Sequence, residues 1–114
     1  MDPSQAPIKA GIVSYRRAGA NFEGTWSHEN IEGALAREIV YSVGAGDFLG
    51  EWSVTVFSPT GESIFSGTLK SEAFGQCLRL SWIEAGAGTA DPKFVGIGRQ
   101  LDPDFVVATF EPVV

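Results

Sequence analysis

A chain of 114 residues with 44% hydrophobic and 19% charged residues is long enough for one domain with a single core, without help from metals or disulfides. Its formal net charge of −6 argues against nucleic acid and anionic membrane surfaces as partners, because both require clustered lysine and arginine. The composition is that of an ordinary globular protein.

The ends of the chain and its cysteine content bear on location. Cys77 is the single cysteine, so no disulfide can form within the chain, and cysteine usage gives no sign of secretion. The first seven residues contain two prolines and lack the basic and apolar regions of a signal peptide, which predicts a flexible arm (residues 1–7) before a single domain (residues 8–114). No apolar stretch approaches the roughly 20 residues of a membrane helix. We therefore expect a cytoplasmic protein.

Alternation of polar and apolar residues predicts eight β-strands, because a period of two buries one face of a strand and leaves the other in water. The predicted strands cover residues 8–17, 21–27, 35–43, 50–58, 62–70, 74–83, 93–101 and 104–111. The spacing of Ile31 and Leu35 is also compatible with one short helical turn before the third strand.

The connections between these strands favour an all-β fold. Pro59-Thr60-Gly61 and Asp102-Pro103-Asp104 fit tight hairpins, whereas the glycine-rich segments 44–47 and 86–88 predict longer, mobile loops. Eight short strands joined by hairpins indicate a single antiparallel up-and-down barrel, since a sandwich needs longer crossovers. Such a barrel is filled by side chains or holds one small ligand, and eight phenylalanines and three tryptophans favour a largely filled interior.

Glycines recur inside the predicted strands at Gly24, Gly67, Gly96 and Gly98. A glycine within a strand marks a bend, a bulge or a close approach of another backbone. We predict that Gly24 and Gly67 are corners where strands bend to close the barrel. Gly96 and Gly98 are predicted to make room for bulky rings across the interior, with Trp26 and Trp82 as the candidates.

The sequence contains no recognisable catalytic or metal-binding constellation. His28 is the only histidine and follows a strand end in a polar run, so a solvated loop histidine is the simpler interpretation. Cys77 has no evident base partner, which favours a structural thiol. One histidine and one cysteine about fifty residues apart lack the spacing of a zinc site. We expect no catalytic residue, no metal and no cofactor, and we favour a protein that is not an enzyme.

Aromatic residues are the strongest candidates for binding. The alternation assigns Trp26, Tyr41, Trp52 and Trp82 to the barrel interior. An aromatic-lined barrel mouth with a few polar groups is a usual site for a small molecule. The competing interpretation is that these rings are simply the packed core.

Two charged residues, Glu38 and Arg99, lie inside otherwise apolar runs. A side chain of this kind that points inward marks a ligand contact or a buried pair, because an unpaired buried charge is too costly. One that points outward is an ordinary surface charge. Because Val95, Ile97 and Leu101 share its face of the strand, Arg99 is compatible with an inward or an interface-facing position, and we include it among the candidate ligand contacts.

Two sets of motifs carry a resemblance to known families. Phe65-x-Gly67-Thr68-Leu69, followed by Leu80-x-Trp82 and Gly96-Ile97-Gly98, resembles small bacterial β-barrel domains of unassigned function over roughly residues 50–110. Gly24-Thr25-Trp26 resembles the Gly-x-Trp motif of the calycins, the lipocalin and avidin barrels, although that motif opens the first strand there and lies in the second predicted strand here. The resemblance implies a calycin-like barrel and carries over no ligand and no binding residue.

The leading hypothesis is a binding module for a small apolar or aromatic molecule in the barrel mouth. The main alternative is a regulatory or protein-interaction scaffold, such as a homodimer, with a filled barrel and no ligand. Apolar residues on both faces of the last strand, including Phe105, Val107 and Phe110, favour such a contact between copies. An enzyme is the weakest hypothesis, because no acid–base or nucleophilic constellation is recognisable.

Overall fold

A closed barrel forms the whole of the described chain. The computed structural model describes residues 10–44, 46–86, 88 and 91–113, so the predicted arm, residues 1–7, lies outside the described residues. The strands are β1 (Gly11–Ala18), β2 (Asn21–His28), β3 (Ala36–Val40), β4 (Gly50–Phe57), β5 (Ser63–Phe74), β6 (Cys77–Glu84), β7 (Phe94–Asp102) and β8 (Phe105–Pro112). Each strand pairs antiparallel with the next, and β8 returns to pair with β1. The predicted eight-stranded up-and-down barrel is confirmed.

The alternation along the strands builds the wall and the core. On β6, Leu78, Leu80 and Trp82 are buried, while the residues between them face outward. Each buried side chain of this size contributes about 1.5 to 3 kcal/mol relative to an exposed one. Ahead of β3, a single 3-10 turn covers Glu29–Ile31, which confirms the short helical turn, whereas Leu35 lies beyond it and is exposed.

In the third strand, the residues that face the interior are the ones predicted to face outward, and the reverse. Ala36, Glu38 and Val40 are buried, and the strand ends before Tyr41, which is half-buried. The alternation in this segment is ambiguous because both faces carry apolar residues. The phase is set by pairing with β2, where Glu38 lies opposite Gly24. The assignment of Tyr41 to the interior is therefore wrong.

One end of the barrel, which we call the closed end, is plugged by Phe48 from the loop between β3 and β4. The Phe48 side chain is fully buried. Its ring centroid lies near those of three other rings, 5.5 Å from Tyr15, 5.0 Å from Phe22 and 4.7 Å from Trp52. The Phe48 N–H donates to Oε1 of Gln100 at 2.9 Å, and Oγ of Ser71 donates to the Phe48 carbonyl at 2.6 Å. These bonds satisfy a loop backbone that enters the core.

The in-strand glycines permit close approaches of two kinds. A Cβ atom at Gly24 would lie 2.9 Å from the Tyr15 ring, so this glycine leaves room for a ring beside β3. A Cβ at Gly67 would collide with the Ile83 carbonyl, and one at Gly96 with the Thr109 carbonyl. At Gly96 and Gly98 the nearest atoms belong to the backbone and a methyl group of β8 and to a leucine of β6, so the prediction that these two glycines make room for bulky rings is wrong.

Replacing Gly67 by valine is expected to destabilise the barrel by about 1 to 3 kcal/mol, the usual cost of forcing extra atoms into a packed site. The collision is with backbone, which cannot rotate away as a side chain can. Ser66→Val is the matched control, because Ser66 is the exposed neighbour on β5. Urea unfolding of the two variants measures the difference, and equal midpoints would refute the close approach at Gly67.

Candidate functional site

The end of the barrel opposite Phe48 contains a cavity of about 250 Å³, which we call the mouth cavity. It lies where β2, β4, β6 and β8 end and where β5 and β7 begin. Its aromatic lining consists of Trp26, Phe65, Trp82, Phe94 and Phe110. Val56 and Ile64 add aliphatic surface, and Glu38, Glu84 and Lys93 are its charged residues. The interior is thus filled at the closed end and hollow at the mouth.

The aromatic rings around the cavity meet edge to face. The Phe110 ring is the common neighbour, with centroid distances of 5.9 Å to Trp26, 6.1 Å to Trp82 and 6.3 Å to Phe94. Such edge-to-face contacts are favourable because the positive ring edge meets a negative ring face. The Trp26 indole is fixed further, since its Nε1 donates to the carbonyls of Arg37 at 3.0 Å and Phe57 at 3.1 Å. The cavity therefore has walls held in place before any ligand enters.

Glu38 lies at the inner end of the cavity and is only 4% exposed. Its Oε2 accepts a hydrogen bond from the Tyr15 hydroxyl and a second, of 3.2 Å, from Nε1 of Trp82. These three side chains come from β3, β1 and β6 and meet across the interior. Gly24 makes the meeting possible by leaving space for the Tyr15 ring.

The second oxygen of this carboxyl group, Oε1, has no hydrogen-bond partner among the described residues, since both bonds to Glu38 reach Oε2. Within that same part of the chain, no fully buried side-chain nitrogen or oxygen lacks a partner. Oε1 is therefore not sealed into the core. Glu38 lines the mouth cavity, and Oε1 is its oxygen that accepts no bond from a described residue.

Burial controls the protonation of this cluster. It raises the pKa of Glu38 to about 7, although the hydrogen bonds from Tyr15 and Trp82 act in the opposite direction. Burial, followed by the nearby charge of Glu38, raises the pKa of Tyr15 well above its ordinary value, so Tyr15 remains a donor. A carboxyl group that titrates near neutral pH inside a cavity is a recognised mark of a functional site.

The rim of the cavity is polar and open to solvent. Nζ of Lys93 lies 3.4 Å from Oε1 of Glu84, and both side chains are substantially exposed. An ion pair of this kind contributes little to stability. Its effect at the rim is to compensate the lysine charge, so Glu38 carries the unpaired charge of the cavity when it is ionised.

The structure separates the residues that the sequence grouped as ligand contacts. Trp26 and Trp82 line the mouth cavity. Trp52 lies at the closed end against Phe48, and Tyr41 lies just beyond β3 and does not line the cavity. Arg99 is exposed on the outer wall, where it lines an outer groove and not the mouth cavity.

The outward position of Arg99 has a simple physical origin. The inward positions of β7 include Gly96 and Gly98, which present no side chain, whereas outward positions carry Val95 and Ile97. The more apolar of the two alternating sets of residues in β7 therefore points outward. Hydropathy alone assigns such a strand to the wrong side.

Several residues that form the cavity or close the opposite end of the barrel were not recognisable as such from the sequence. Tyr15 alternates correctly with Val13 on β1, but nothing local connects it to Glu38, which is 23 residues away. Phe48 follows a glycine-rich polar segment, and a single aromatic residue in such a loop is the one feature that marks it as a plug. Phe94 and Phe110 enter the cavity from strand ends, where alternation is least reliable.

Fold and site together define a class of protein: a closed eight-stranded antiparallel barrel, plugged at one end and opening at the other into an aromatic cavity with a buried carboxyl group. No family model, curated protein or solved structure matches the chain. None of the helical residues among those described forms a helix long and apolar enough to cross a membrane. Over the same described ranges, no three His, Cys, Asp or Glu side chains gather as a metal site would require.

Proposed function

We propose that the protein is a binding module for a small aromatic or apolar molecule, held in the mouth cavity. The single observation that carries the proposal is the cavity itself, with aromatic walls and one inward polar group. Sites for small molecules usually combine apolar walls with a few placed polar groups. Trp26 and Trp82 contact the ligand, with Phe65, Phe94 and Phe110 completing the walls.

The size of the cavity sets the size of the ligand. An apolar cavity of about 150 Å³ holds one benzene molecule. By proportion, 250 Å³ accommodates a single ring with a short substituent, on the order of ten non-hydrogen atoms. The ligand class is therefore monocyclic, or bicyclic at the level of indole, and excludes steroids and long acyl chains.

The calycin likeness of Gly24-Thr25-Trp26 agrees with this proposal. Trp26 lies on β2 near the mouth and lines the cavity. We propose a calycin-like barrel whose cavity is small because Phe48 and its neighbouring rings fill the closed end.

Thermal unfolding with 2-phenylethanol and indole tests the proposal. Both probes are expected to raise the melting temperature in proportion to concentration, because a ligand that binds only the folded state stabilises it. Val56→Phe is expected to abolish the response, since residue 56 lines the cavity and the larger ring fills it. Val107→Phe is the matched control on the outer wall and should leave the response intact.

The alternative is a self-associating scaffold, which one surface feature favours. The outer wall of β1, β7 and β8 carries a larger, open groove of about 560 Å³ with Ile12 and Ile97 exposed along it, 66% and 45% respectively. We prefer the mouth cavity as the ligand site, because it is more enclosed and has an inward polar anchor. A concentration-dependent dimer in sedimentation, together with no melting response to either probe, would replace the binding proposal with the scaffold.

A further inference from the structure

We propose, building on the function above, that the ligand of the mouth cavity is a small organic amine in its protonated form, whose ammonium group donates a hydrogen bond to Oε1 of Glu38. The body of the ligand is a single aromatic ring or an apolar group of that size. The inference rests on the geometry of the inner end of the cavity, the identity of its walls and the charges at its rim.

With Glu38 ionised, the inner end of the cavity offers an acceptor and no free donor. The Tyr15 hydroxyl and Nε1 of Trp82 are the nearby donors, and both are committed to Oε2 of Glu38. Oε1 is left as the polar atom that a ligand can reach. A ligand must therefore bring a donor to this point, because a buried polar group without a partner is costly. A carboxylate ligand would meet a like charge at the ionised Glu38, and only the protonated carboxyl group could donate to it.

The walls favour a donor that is positively charged. Five aromatic residues surround the cavity, and the faces of such rings attract cations. A carboxylate among aromatic rings combines the two features that proteins use to bind ammonium groups. A neutral hydroxyl or indole N–H satisfies only the hydrogen bond and gains nothing from the charge.

The remaining charges do not oppose a cation. Lys93 is the cationic residue of the cavity lining, and it is compensated by Glu84 at 3.4 Å. The formal net charge of the whole chain is −6, which attracts cations at long range. An ammonium group entering the cavity thus passes a compensated rim and meets one unpaired carboxyl group.

Protonation of Glu38 makes the inference measurable. The groups that face it are Tyr15 from β1 and Trp82 from β6, while β2 presents Gly24 and Trp26 and the rim adds Glu84 and Lys93. With a pKa of about 7, Glu38 is half protonated at neutral pH in the free protein. An ammonium ligand requires the ionised form, so its binding displaces that proton.

Isothermal titration calorimetry with phenethylamine and 2-phenylethanol is the test, because the two probes share a skeleton and differ in the charged group. At pH 8.5 phenethylamine is expected to bind wild type about 10- to 100-fold more tightly than the alcohol, the range of a charge-assisted hydrogen bond. At pH 5.5 the advantage is expected to shrink to a few-fold. At pH 7, titrations in two buffers of different ionisation enthalpy should show about half a proton released per amine bound, and none for the alcohol.

Glu38→Gln supplies the matched variant, since its amide carbonyl can still accept from Tyr15 and Trp82. The variant is expected to lose the preference for the amine and to keep the affinity for 2-phenylethanol. If wild type binds the alcohol as tightly as the amine at pH 8.5, the amine inference is overturned while the binding function stands. If neither probe binds wild type, the amine inference and the proposed binding function are both overturned. Should the variant misfold, wild type decides the matter alone, and equal affinity for the amine and the alcohol at pH 8.5 overturns the inference.

Discussion

Replacing Phe48 by alanine is expected to lower the free energy of unfolding by about 3 to 5 kcal/mol, the cost of removing a fully buried phenylalanine. The loss is at the upper end of that range if the loop between β3 and β4 cannot collapse. That loop is held by bonds from Ser71 and to Gln100, so the space left by the ring stays open. The rings of Tyr15, Phe22 and Trp52 would each lose a neighbour.

Two controls make this prediction specific. Phe74→Ala removes the same ring from an exposed position, 47% accessible, where Arg79 lies over it in a cation–π contact, and should cost less than about 1 kcal/mol. Phe48→Leu keeps an apolar plug and should cost clearly less than Phe48→Ala. Equilibrium denaturation in urea measures all three. A Phe48→Ala variant as stable as Phe74→Ala would show that the plug does not close the barrel.

Replacing Glu38 by glutamine is expected to stabilise the protein above neutral pH and to leave it unchanged in mild acid. The pKa of Glu38 is about 7 in the folded state against an ordinary value of 4.5. The folded protein therefore binds a proton more tightly than the unfolded chain between these values. This contribution is fully present below pH 4.5 and is lost as the pH rises through 7.

The size of the effect follows from the same shift. At about 1.4 kcal/mol per pKa unit, burying the ionised carboxyl group costs on the order of 3 kcal/mol at pH 8.5. Glutamine avoids this cost because it is never charged, while its carbonyl accepts the bonds from Tyr15 and Trp82. The gain corresponds to a rise of roughly 10 °C or more in melting temperature.

Melting temperatures of wild type and Glu38→Gln from pH 4.5 to pH 8.5 measure this difference directly. Glu84→Gln is the control, because Glu84 is a partly exposed acid of the rim and its removal should change stability by no more than about 0.5 kcal/mol at any pH in the range. A constant gap between wild type and Glu38→Gln across the range would mean that Glu38 titrates as an exposed acid. A lower stability of the variant at pH 8.5 would mean that the charge is compensated in the fold.

Much of the architecture follows from local sequence signals. Strict alternation on β4 and β6 predicts strands with one buried face, and tight turns such as Pro59-Thr60-Gly61 join neighbours in order. Each strand pairs with the next, and the pairing of β8 with β1 closes the barrel, so that no strand edge is left unpaired. These signals depend on a few consecutive residues, which is why they can be recognised without a structure.

The phase of weakly patterned strands could not be predicted in the same way. β3 has five residues and apolar groups on both faces, so its phase comes from the register with β2. β7 places glycines inward and aliphatic residues outward, which inverts its hydropathy. Tyr41 was assigned to the interior and Arg99 was included among the candidate ligand contacts on these two patterns, and both lie outside the cavity.

The candidate site was predicted in part. Trp26 and Trp82 were correctly assigned to the interior on their alternation, and both line the mouth cavity. The cluster of Tyr15, Glu38 and Trp82 depends on residues 23 and 44 positions apart in sequence that meet across the barrel. No local pattern encodes that convergence, because it is produced by the closure of the sheet and by the space that Gly24 leaves.

The three tryptophan indoles allow one direct test of the central claim, that the mouth cavity is the ligand site. Trp26 and Trp82 line the cavity, whereas Trp52 packs against Phe48 at the closed end and serves as an internal control. In a titration with 2-phenylethanol followed by ¹H–¹⁵N correlation spectra, the indole N–H signals of Trp26 and Trp82 are expected to shift together to saturation while that of Trp52 stays in place. Equal shifts of all three, or shifts confined to outer-wall amides such as those of Ile12 and Ile97, would contradict the claim.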